Sequence, residues 1–175
     1  PAPESGGPAR PKGLRFANGG TSIDAPTRKT SMSQTNTDLT QTPAHELLAL
    51  YRSGQTSPVE VTQAVLQRIE RVNPQINAFC LVDEKAALTS ARASEARWQA
   101  HRQQGTPVGA LDGVPTSIKD LILTQGWPTL RGSRTIDPNQ PWDVDAPATA
   151  RLREAGAVLL GKTTTPEFGC KGETN

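Results

Sequence analysis

The sequence predicts an α/β fold, and three observations lead to this prediction. Two helix patterns with clear start and stop signals follow each other in the first half of the chain. Two short apolar runs, Val114 to Ile118 and Ala157 to Leu160, flank a stretch with a helical pattern. A strand, a crossover helix and a second strand form a βαβ unit, whose two strands are parallel. The 175 residues suffice for one domain with a hydrophobic core.

Composition excludes several classes of protein. The formal net charge is only +2, which argues against nucleic acid or a membrane surface as the main partner. No apolar run approaches the roughly 18 residues of a membrane span. The two cysteines, Cys80 and Cys170, form no metal-binding or disulfide pattern, so we expect a reducing cytoplasm.

Residues 1 to 41 are predicted to be a disordered tail. Prolines and glycines alternate there, a run of Ser, Thr, Gln and Asn follows, and no apolar period is available for burial. The single methionine, Met32, lies in this tail. Two interpretations stay open: Met32 is the natural start and the residues before it are an added extension, or the whole segment is an ordinary tail.

A helical hairpin is predicted to follow the tail. Thr42-Pro43 is an N-cap with proline at the first helical position, and Gly54 ends this helix. Ser57 to Glu60 is a capping box that opens a second helix, which Asn73-Pro74 ends. The favoured role is packing, through an apolar face at helical spacing: Val61, Val65, Ile69 and Val72.

A short strand and a long helix come next. The strand runs from Ala78 to Val82, and Asp83 caps an Ala-rich helix that reaches about Gln103 and stops at Gly105. Both histidines are assigned to helix surfaces without a catalytic role: His45 and His101.

One lysine organises the functional interpretation. The apolar run from Val114 to Ile118 is predicted to be a buried strand that ends on Lys119. Chemistry in α/β folds is placed at strand ends, and burial favours the neutral form of an amine. A neutral amine is a general base, so Lys119 is the candidate catalytic residue.

Leu123 to Asp143 is predicted to be a long irregular segment. Loops of this length in a compact domain are often functional. Trp127 and Trp142 lie within it. They can line a substrate pocket, but packing of the loop onto the sheet is the favoured interpretation.

Asp145 is predicted to cap a helix from Ala146 to Ala155, which Gly156 ends. The segment Gly156 to Thr163 matches the P-loop pattern G-x-x-x-x-G-K-[ST]. A phosphate loop lies between a strand and the N-terminus of a helix. Here the four intervening residues, Ala157 to Leu160, form the strand itself and the helix precedes the match, so we reject nucleotide binding.

Several motifs in order resemble the amidase signature family, and the resemblance covers residues 43 to 175. One position departs from the family pattern: Asp112 stands where many members have His, and because it precedes the strand we expect a minor effect. The matching segments are Glu46 to Leu48, Arg68 to Phe79, Leu111 to Asp120, Gly132-Ser133, Ala150 to Thr163 and Pro166 to Gly169.

The resemblance implies the N-terminal part of a mixed-sheet α/β/α fold, with residues 42 to 175 as a partial domain. Members of the family hydrolyse amides with a Ser–Ser–Lys triad, and Lys119 matches the lysine. In that mechanism the neutral lysine draws a proton through a bridging serine, and the activated serine attacks the amide carbonyl. Both serines lie in a Gly/Ser-rich loop further along, and the sequence stops at Asn175 before such a loop.

The resemblance therefore implies an amidase, and of its catalytic triad this chain carries only the lysine. The 175 residues alone are expected to be inactive. Uncovered sheet edges make the isolated chain marginally stable or aggregation-prone. Two alternatives remain: the A subunit of a glutamyl-tRNA amidotransferase, and a non-catalytic interaction fragment. Thr163 to Gly169 looks more like the stand-alone amidases.

The expected partner is a small-molecule amide substrate, with no direct contact to nucleic acid or membrane, and a homodimer is left open. No metal or organic cofactor is implied.

Overall fold

The computed structural model describes residues 38–172. Most of the predicted tail, with Met32, lies outside the described residues. Residues 38–41 form a turn in which Asp38 Oδ1 accepts a hydrogen bond from the Thr40 amide at 3.0 Å. Arg68 donates to Thr40 Oγ1 at 2.6 Å and ties this turn to the second helix.

The predicted helical hairpin is confirmed. Helix α1 spans Ala44–Ser53 and ends at Gly54, whose φ of 73° is left-handed. The predicted cap of this helix is wrong, because Pro43 is the N-cap and makes no side-chain hydrogen bond. Thr42 instead donates its hydroxyl proton to the Asp38 carbonyl at 3.2 Å.

Helix α2 spans Pro58–Ile76 and starts with the predicted capping box of Ser57 and Glu60. Its predicted end at Asn73-Pro74 is wrong, since the helix continues through Pro74 for two more residues. Pro74 has no backbone N–H, so α2 lacks the hydrogen bond that this residue would otherwise donate to the Glu70 carbonyl. The Asn73 side chain exchanges two hydrogen bonds with the Phe79 backbone, at 2.8 and 3.1 Å, and joins the helix end to the next strand.

Strand β1 spans Phe79–Val82 and helix α3 spans Glu84–Gln104. Asp83 caps α3 as predicted, because its side chain accepts a hydrogen bond from the Ala86 amide at 2.9 Å. Gly105 ends the helix in a left-handed conformation, also as predicted.

Strands β2 (Pro115–Lys119) and β3 (Val158–Thr163) confirm the predicted βαβ unit. They pair in parallel, whereas β1 pairs with β3 antiparallel, so the described residues form a mixed sheet in the order β1-β3-β2. β3 is therefore the central strand and β2 lies at an edge.

Helix α4 spans Pro147–Glu154 and crosses from β2 to β3. The prediction that Asp145 caps this helix is wrong, because the N-cap is Ala146 and has no side-chain hydrogen bond. The Asp145 carboxylate accepts instead from the Gln125 amide at 2.7 Å and from Arg153 Nε at 2.9 Å. It joins the long loop after β2 to the end of α4.

Side chains pack on both faces of the sheet. Helices α1, α2 and α3 cover one face, and α4 with the loop after β2 covers the other. On the first face, one cluster of buried side chains consists of Leu66, Ala87, Ala91, Val158 and Leu160. A second cluster on the same side consists of Leu47, Tyr51, Val61 and Trp98. The cluster on the other face consists of Ile118, Trp127, Ala157 and Leu159.

Some apolar surface stays uncovered. Among residues 38–172, β2 has β3 as its only neighbouring strand, so its outer edge is open. Four large apolar side chains are exposed: Ile76, Val82, Val144 and Phe168. Within the same residues no helix combines the length and the hydropathy that a bilayer span requires.

Candidate functional site at the end of strand β2

Lys119 is the last residue of β2, at the edge of the sheet where the parallel strands β2 and β3 both end. It lies opposite Thr163, and the amide of Asp120 donates to the Thr163 carbonyl at 2.9 Å. This is the position that the sequence predicts for it.

The environment predicted for Lys119 is wrong for this chain, because its side chain is exposed. Burial alternates along β2: Ile118 is buried against Trp127, while Ser117 and Lys119 are exposed. Successive side chains point to opposite faces of a strand. Lys119 therefore points away from the Trp127 side, at an edge of the sheet with which no described strand pairs.

A tight turn follows Lys119. The Lys119 carbonyl accepts a hydrogen bond from the Ile122 amide at 3.0 Å, so the chain reverses direction directly after the strand. Asp120, inside the turn, is buried with 5% of its surface exposed. Gly169 packs against Leu121, where an added Cβ would lie 2.7 Å from a methyl carbon. The turn is thus held between β3 and the segment that follows it.

A second lysine, which sequence reasoning overlooked, lies beside this turn. Lys162 on β3 is fully buried, and its ammonium donates to the Ile122 carbonyl and to Thr129 Oγ1, both at 2.7 Å. Asp120 Oδ1 lies 3.6 Å from the same nitrogen. Burial lowers the pKa of Lys162, and the Asp120 carboxylate opposes this shift. The signal was present in the sequence as the lysine of the rejected P-loop match.

The structure supports the rejection of nucleotide binding. Val158–Thr163 forms β3, α4 precedes it, and only a three-residue 3-10 turn, Glu167–Gly169, follows it among the described residues. The Lys162 ammonium points into the interior toward backbone and hydroxyl oxygens, so it cannot contact a phosphate from this position.

Ser133, the one serine that follows Lys119 in the sequence, has a local role. Its hydroxyl donates to Glu167 Oε1 at 2.7 Å and lies 2.8 Å from Thr135 Oγ1. The Phe168 amide donates to the Arg131 carbonyl at 2.8 Å, and these two residues both have left-handed φ values, 49° and 56°. Ser133 therefore joins the loop to the segment after β3.

Trp127 follows the favoured interpretation, packing of the loop onto the sheet, whereas Trp142 does not. Trp127 is buried against the sheet and its Nε1 donates to Asp83 Oδ2 at 3.0 Å. Trp142 Nε1 donates to the Pro138 carbonyl at 3.0 Å, within the loop itself. Both side chains thus hold the loop in place.

The histidines have only local contacts. His45 is exposed on α1 and lies 3.9 Å from Glu46. His101 lies near the end of α3, where Nδ1 is 2.8 Å from the Thr106 carbonyl.

Asp112 has a larger role than the sequence suggested. It is buried with 1% of its surface exposed, and it accepts hydrogen bonds from Arg97 and Ser94. Its carbonyl accepts from Trp98 Nε1 at 3.0 Å. This carboxylate joins α3 to the segment that leads into β2, and the expectation that Asp in place of His has a minor effect stays a prediction.

Two of the grooves that the described residues form lie on the α1–α3 side of the sheet. One, of about 590 Å³, lies between α2, the end of β1 and the start of α3. Lys119 is not among the residues that line it. The other, of about 340 Å³, is lined mainly by apolar side chains and reaches β2 at Pro115 and Ser117. The second groove lies on the face toward which Lys119 points.

Comparisons with known proteins agree on one family. The amidase family model matches residues 60–175. The chain is similar to the A subunit of the glutamyl-tRNA(Gln) amidotransferase of Salinispora arenicola, with 45% identity over 138 residues, or 79% of this chain and 27% of the relative. The corresponding protein of Myxococcus xanthus is 46% identical over 132 residues, or 75% of this chain and 26% of the relative.

Two solved structures share the fold. A bacterial aryl acylamidase of the amidase signature family matches this chain with a TM-score of 0.71 and 32% sequence identity. The match covers 78% of this chain and 28% of the acylamidase chain. The peptide amidase of Stenotrophomonas maltophilia matches with a TM-score of 0.61 and 32% sequence identity. This match covers 77% of this chain and 26% of the peptide amidase chain. The chain thus spans about a quarter of the length of these proteins.

The family resemblance and the predicted mixed-sheet fold are both confirmed. With a family match over residues 60–175, relatives above 40% identity and amidase structures that superpose on most of its length, this chain belongs to the amidase family.

Proposed function

We propose that the protein to which this chain contributes hydrolyses the C–N bond of a carboxylic amide, with Lys119 as the catalytic base. One observation carries the proposal: Lys119 lies at the carboxyl end of β2, inside the segment that matches the amidase family. Its side chain is exposed at an open sheet edge, so there is room beside it for the rest of an active site.

The two serines of the triad must come from outside these 175 residues. Ser133 is the only serine after Lys119, and its hydroxyl is already bonded to Glu167 and Thr135. When a loop with paired serines docks beside β2, it excludes water from the amine. The neutral amine then takes a proton through the bridging serine while the second serine attacks the carbonyl carbon.

Loss of the amine in the complete protein should remove activity. We expect Lys119→Ala to lower kcat/KM for an amide substrate by at least about 100-fold, the low end for a general base. Lys85→Ala, which removes an exposed lysine from α3, is the matched control and should keep full activity. The assay follows release of ammonia or amine from a panel of linear amides.

The isolated chain provides the complementary test. It lacks the nucleophile, so the 175 residues should show no amide hydrolysis that depends on Lys119. If they hydrolysed an amide and Lys119→Ala abolished this, the proposed division of the triad would be wrong.

A second candidate has support of its own. The relatives from Salinispora arenicola and Myxococcus xanthus, both above 40% identity, belong to glutamyl-tRNA(Gln) amidotransferases, which favours a role in amide transfer within a complex. The Thr163 to Gly169 segment and the solved amidases favour a stand-alone enzyme. Either protein would use Lys119 in the same way.

A substrate test separates the two candidates. A stand-alone amidase hydrolyses simple amides at full rate without partners. The A subunit of a glutamyl-tRNA(Gln) amidotransferase is expected to act only when its partner subunits and charged tRNA are added. The two exposed free cysteines fit a reducing cytoplasm as the site of either reaction.

A further inference from the structure

The buried ammonium of Lys162 has a complete set of partners. It has three protons to donate, and the Ile122 carbonyl and Thr129 Oγ1 accept two of them at 2.7 Å. Asp120 Oδ1 at 3.6 Å and Thr124 Oγ1 at 3.5 Å lie next nearest. Buried charges are rare unless they are paired and hydrogen-bonded, as this one is.

These partners converge on the turn that starts at Lys119. Asp120 and Ile122 are the first and third residues after Lys119, and the Ile122 amide closes the turn onto the Lys119 carbonyl. The ammonium therefore holds the turn at two points, through a carboxylate and through a backbone oxygen. Thr129 attaches the same nitrogen to the loop beyond the turn.

The strand register brings Lys162 to this place. Between Thr116 and Ile118 the pairing of β2 with β3 shifts, so that Ile118 lies opposite Lys162 and Lys119 opposite Thr163. Such irregularities often re-aim side chains near functional sites. Lys162 then lies on the Trp127 side of the sheet, while Lys119 is on the other side, so Lys162 acts on Lys119 only through the backbone.

We propose that Lys162 is a positioning residue that fixes the direction of Lys119 by holding the Lys119–Ile122 turn; this inference rests on the proposed catalytic role of Lys119. Stability alone is a poor explanation for such a group, because a buried ion pair is often no more stabilising than apolar residues of the same volume. A fixed turn, in contrast, is what a base at an open strand end requires.

The test uses the complete protein and measures kcat and KM separately. Lys162→Met keeps the length of the side chain and removes the charge. We expect kcat to fall by about 10- to 100-fold, the cost of a small displacement of a catalytic group, and KM to change by less than about 2-fold. In a Lys119→Ala background, Lys162→Met should cause no further loss, since there is no base left to position.

A milder pair of variants covers the case in which Lys162→Met does not fold. Thr129→Val removes one acceptor from the ammonium, and we expect a smaller loss in kcat. Thr149→Val is the matched control. Thr149 is as buried as Thr129 and donates at 2.9 Å to the carbonyl of Leu123, the residue after Ile122, but it makes no hydrogen bond to Lys162. It should leave kcat unchanged.

The outcomes distinguish the inference from the proposed function. If Lys119→Ala keeps activity, the proposed function fails. If Lys119→Ala is inactive while the folded Lys162→Met and Thr129→Val variants keep the kcat of the unmodified protein, the positioning role is overturned. Equal losses in kcat for Thr129→Val and Thr149→Val would also overturn it, because any loosening of the loop would then have the same effect.

Discussion

Arg97 and Asp112 form a two-point ion pair between helix α3 and the approach to strand β2. The Asp112 carboxylate accepts from Arg97 Nε at 2.7 Å and from its second terminal nitrogen at 2.8 Å. Only 2% of the Asp112 side chain is exposed, against 43% of the Arg97 side chain. This hydrogen-bonded pair raises the pKa of Arg97, although partial burial of the guanidinium opposes the shift.

Removal of the arginine should be costly. Arg97→Ala leaves the buried Asp112 carboxylate with Ser94 as its remaining side-chain donor, and an unpaired buried charge carries a large desolvation penalty. We expect the free energy of unfolding, measured by urea titration, to fall by about 2–3 kcal/mol.

Arg151→Ala is the matched control for this prediction. Arg151 pairs with Glu154 on the surface of α4, where the two side chains are 79% and 59% exposed. Exposed pairs contribute at most about 1 kcal/mol. Equal losses for the two variants would show that Asp112 is not a stabilising centre of the fold.

A methyl group at Gly161 should disrupt the centre of the sheet. A Cβ there would lie 2.0 Å from the Leu81 carbonyl oxygen on β1, and neither strand can move without breaking the β1–β3 pairing. We expect Gly161→Ala to lower the free energy of unfolding by about 1–3 kcal/mol, in the range for overpacking. Gly172→Ala, where no atom lies within 4 Å, should be neutral. A stable Gly161→Ala chain would contradict this β1–β3 register.

Tyr51 should make the stability fall at alkaline pH. Its fully buried hydroxyl donates to the Gly113 carbonyl at 3.1 Å, and burial raises its pKa above the ordinary value. Above about pH 10 the unfolded chain loses this proton while the folded chain keeps it. The contribution of Tyr51 to the free energy of unfolding then decreases by about 1.4 kcal/mol for each further pH unit.

Tyr51→Phe isolates this effect, because all other groups titrate alike in both proteins. Near pH 7 the variant should be less stable by about 1 kcal/mol, the value of one hydrogen bond. The difference between the two proteins should shrink and then reverse as the pH rises above about 10. Urea titrations between about pH 7 and about pH 11 measure the free energy of unfolding of both proteins. If the difference between them stays constant over this range, the Tyr51 hydroxyl does not titrate as a buried group.

The two lysines of the site should differ in their effect on stability. Lys119→Met changes an exposed side chain and should alter the free energy of unfolding by less than about 0.5 kcal/mol. Lys162→Met leaves the buried Asp120 without its cation and should cost about 3 kcal/mol. Urea titration of both variants checks this, and a large loss for Lys119→Met would show that the exposed lysine supports the fold itself.

Local signals predicted most elements of the fold. The capping box at Ser57, the cap at Asp83 and the stop signals at Gly54 and Gly105 depend on neighbouring residues, so they can be recognised in the sequence. The predicted end of α2 was wrong because the helix continues through Pro74 to Ile76, where the proline had been read as a stop signal. The prediction for Asp145 was wrong because its partners lie 20 and 8 residues away, at Gln125 in the loop and at Arg153 near the end of α4.

The site was predictable in part. The family motif and the strand pattern located Lys119 at the end of β2, but the burial predicted for its side chain is not found among the described residues. The role of Lys162 depends on Ile122 and Thr129, which lie about 40 and 33 residues away in the sequence. No periodicity in the sequence reports such contacts.

The open edge of β2 has a consequence for the order in which an amidase of this kind matures. Ribosomes make a chain from its N-terminus, and N-terminal segments generally fold first. In a protein as long as these relatives, the proposed base would then be in place while the edge of β2 is still bare, and hydrolysis would begin only after later polypeptide had covered it. Folding of the later segments would then be the step that switches such an enzyme on.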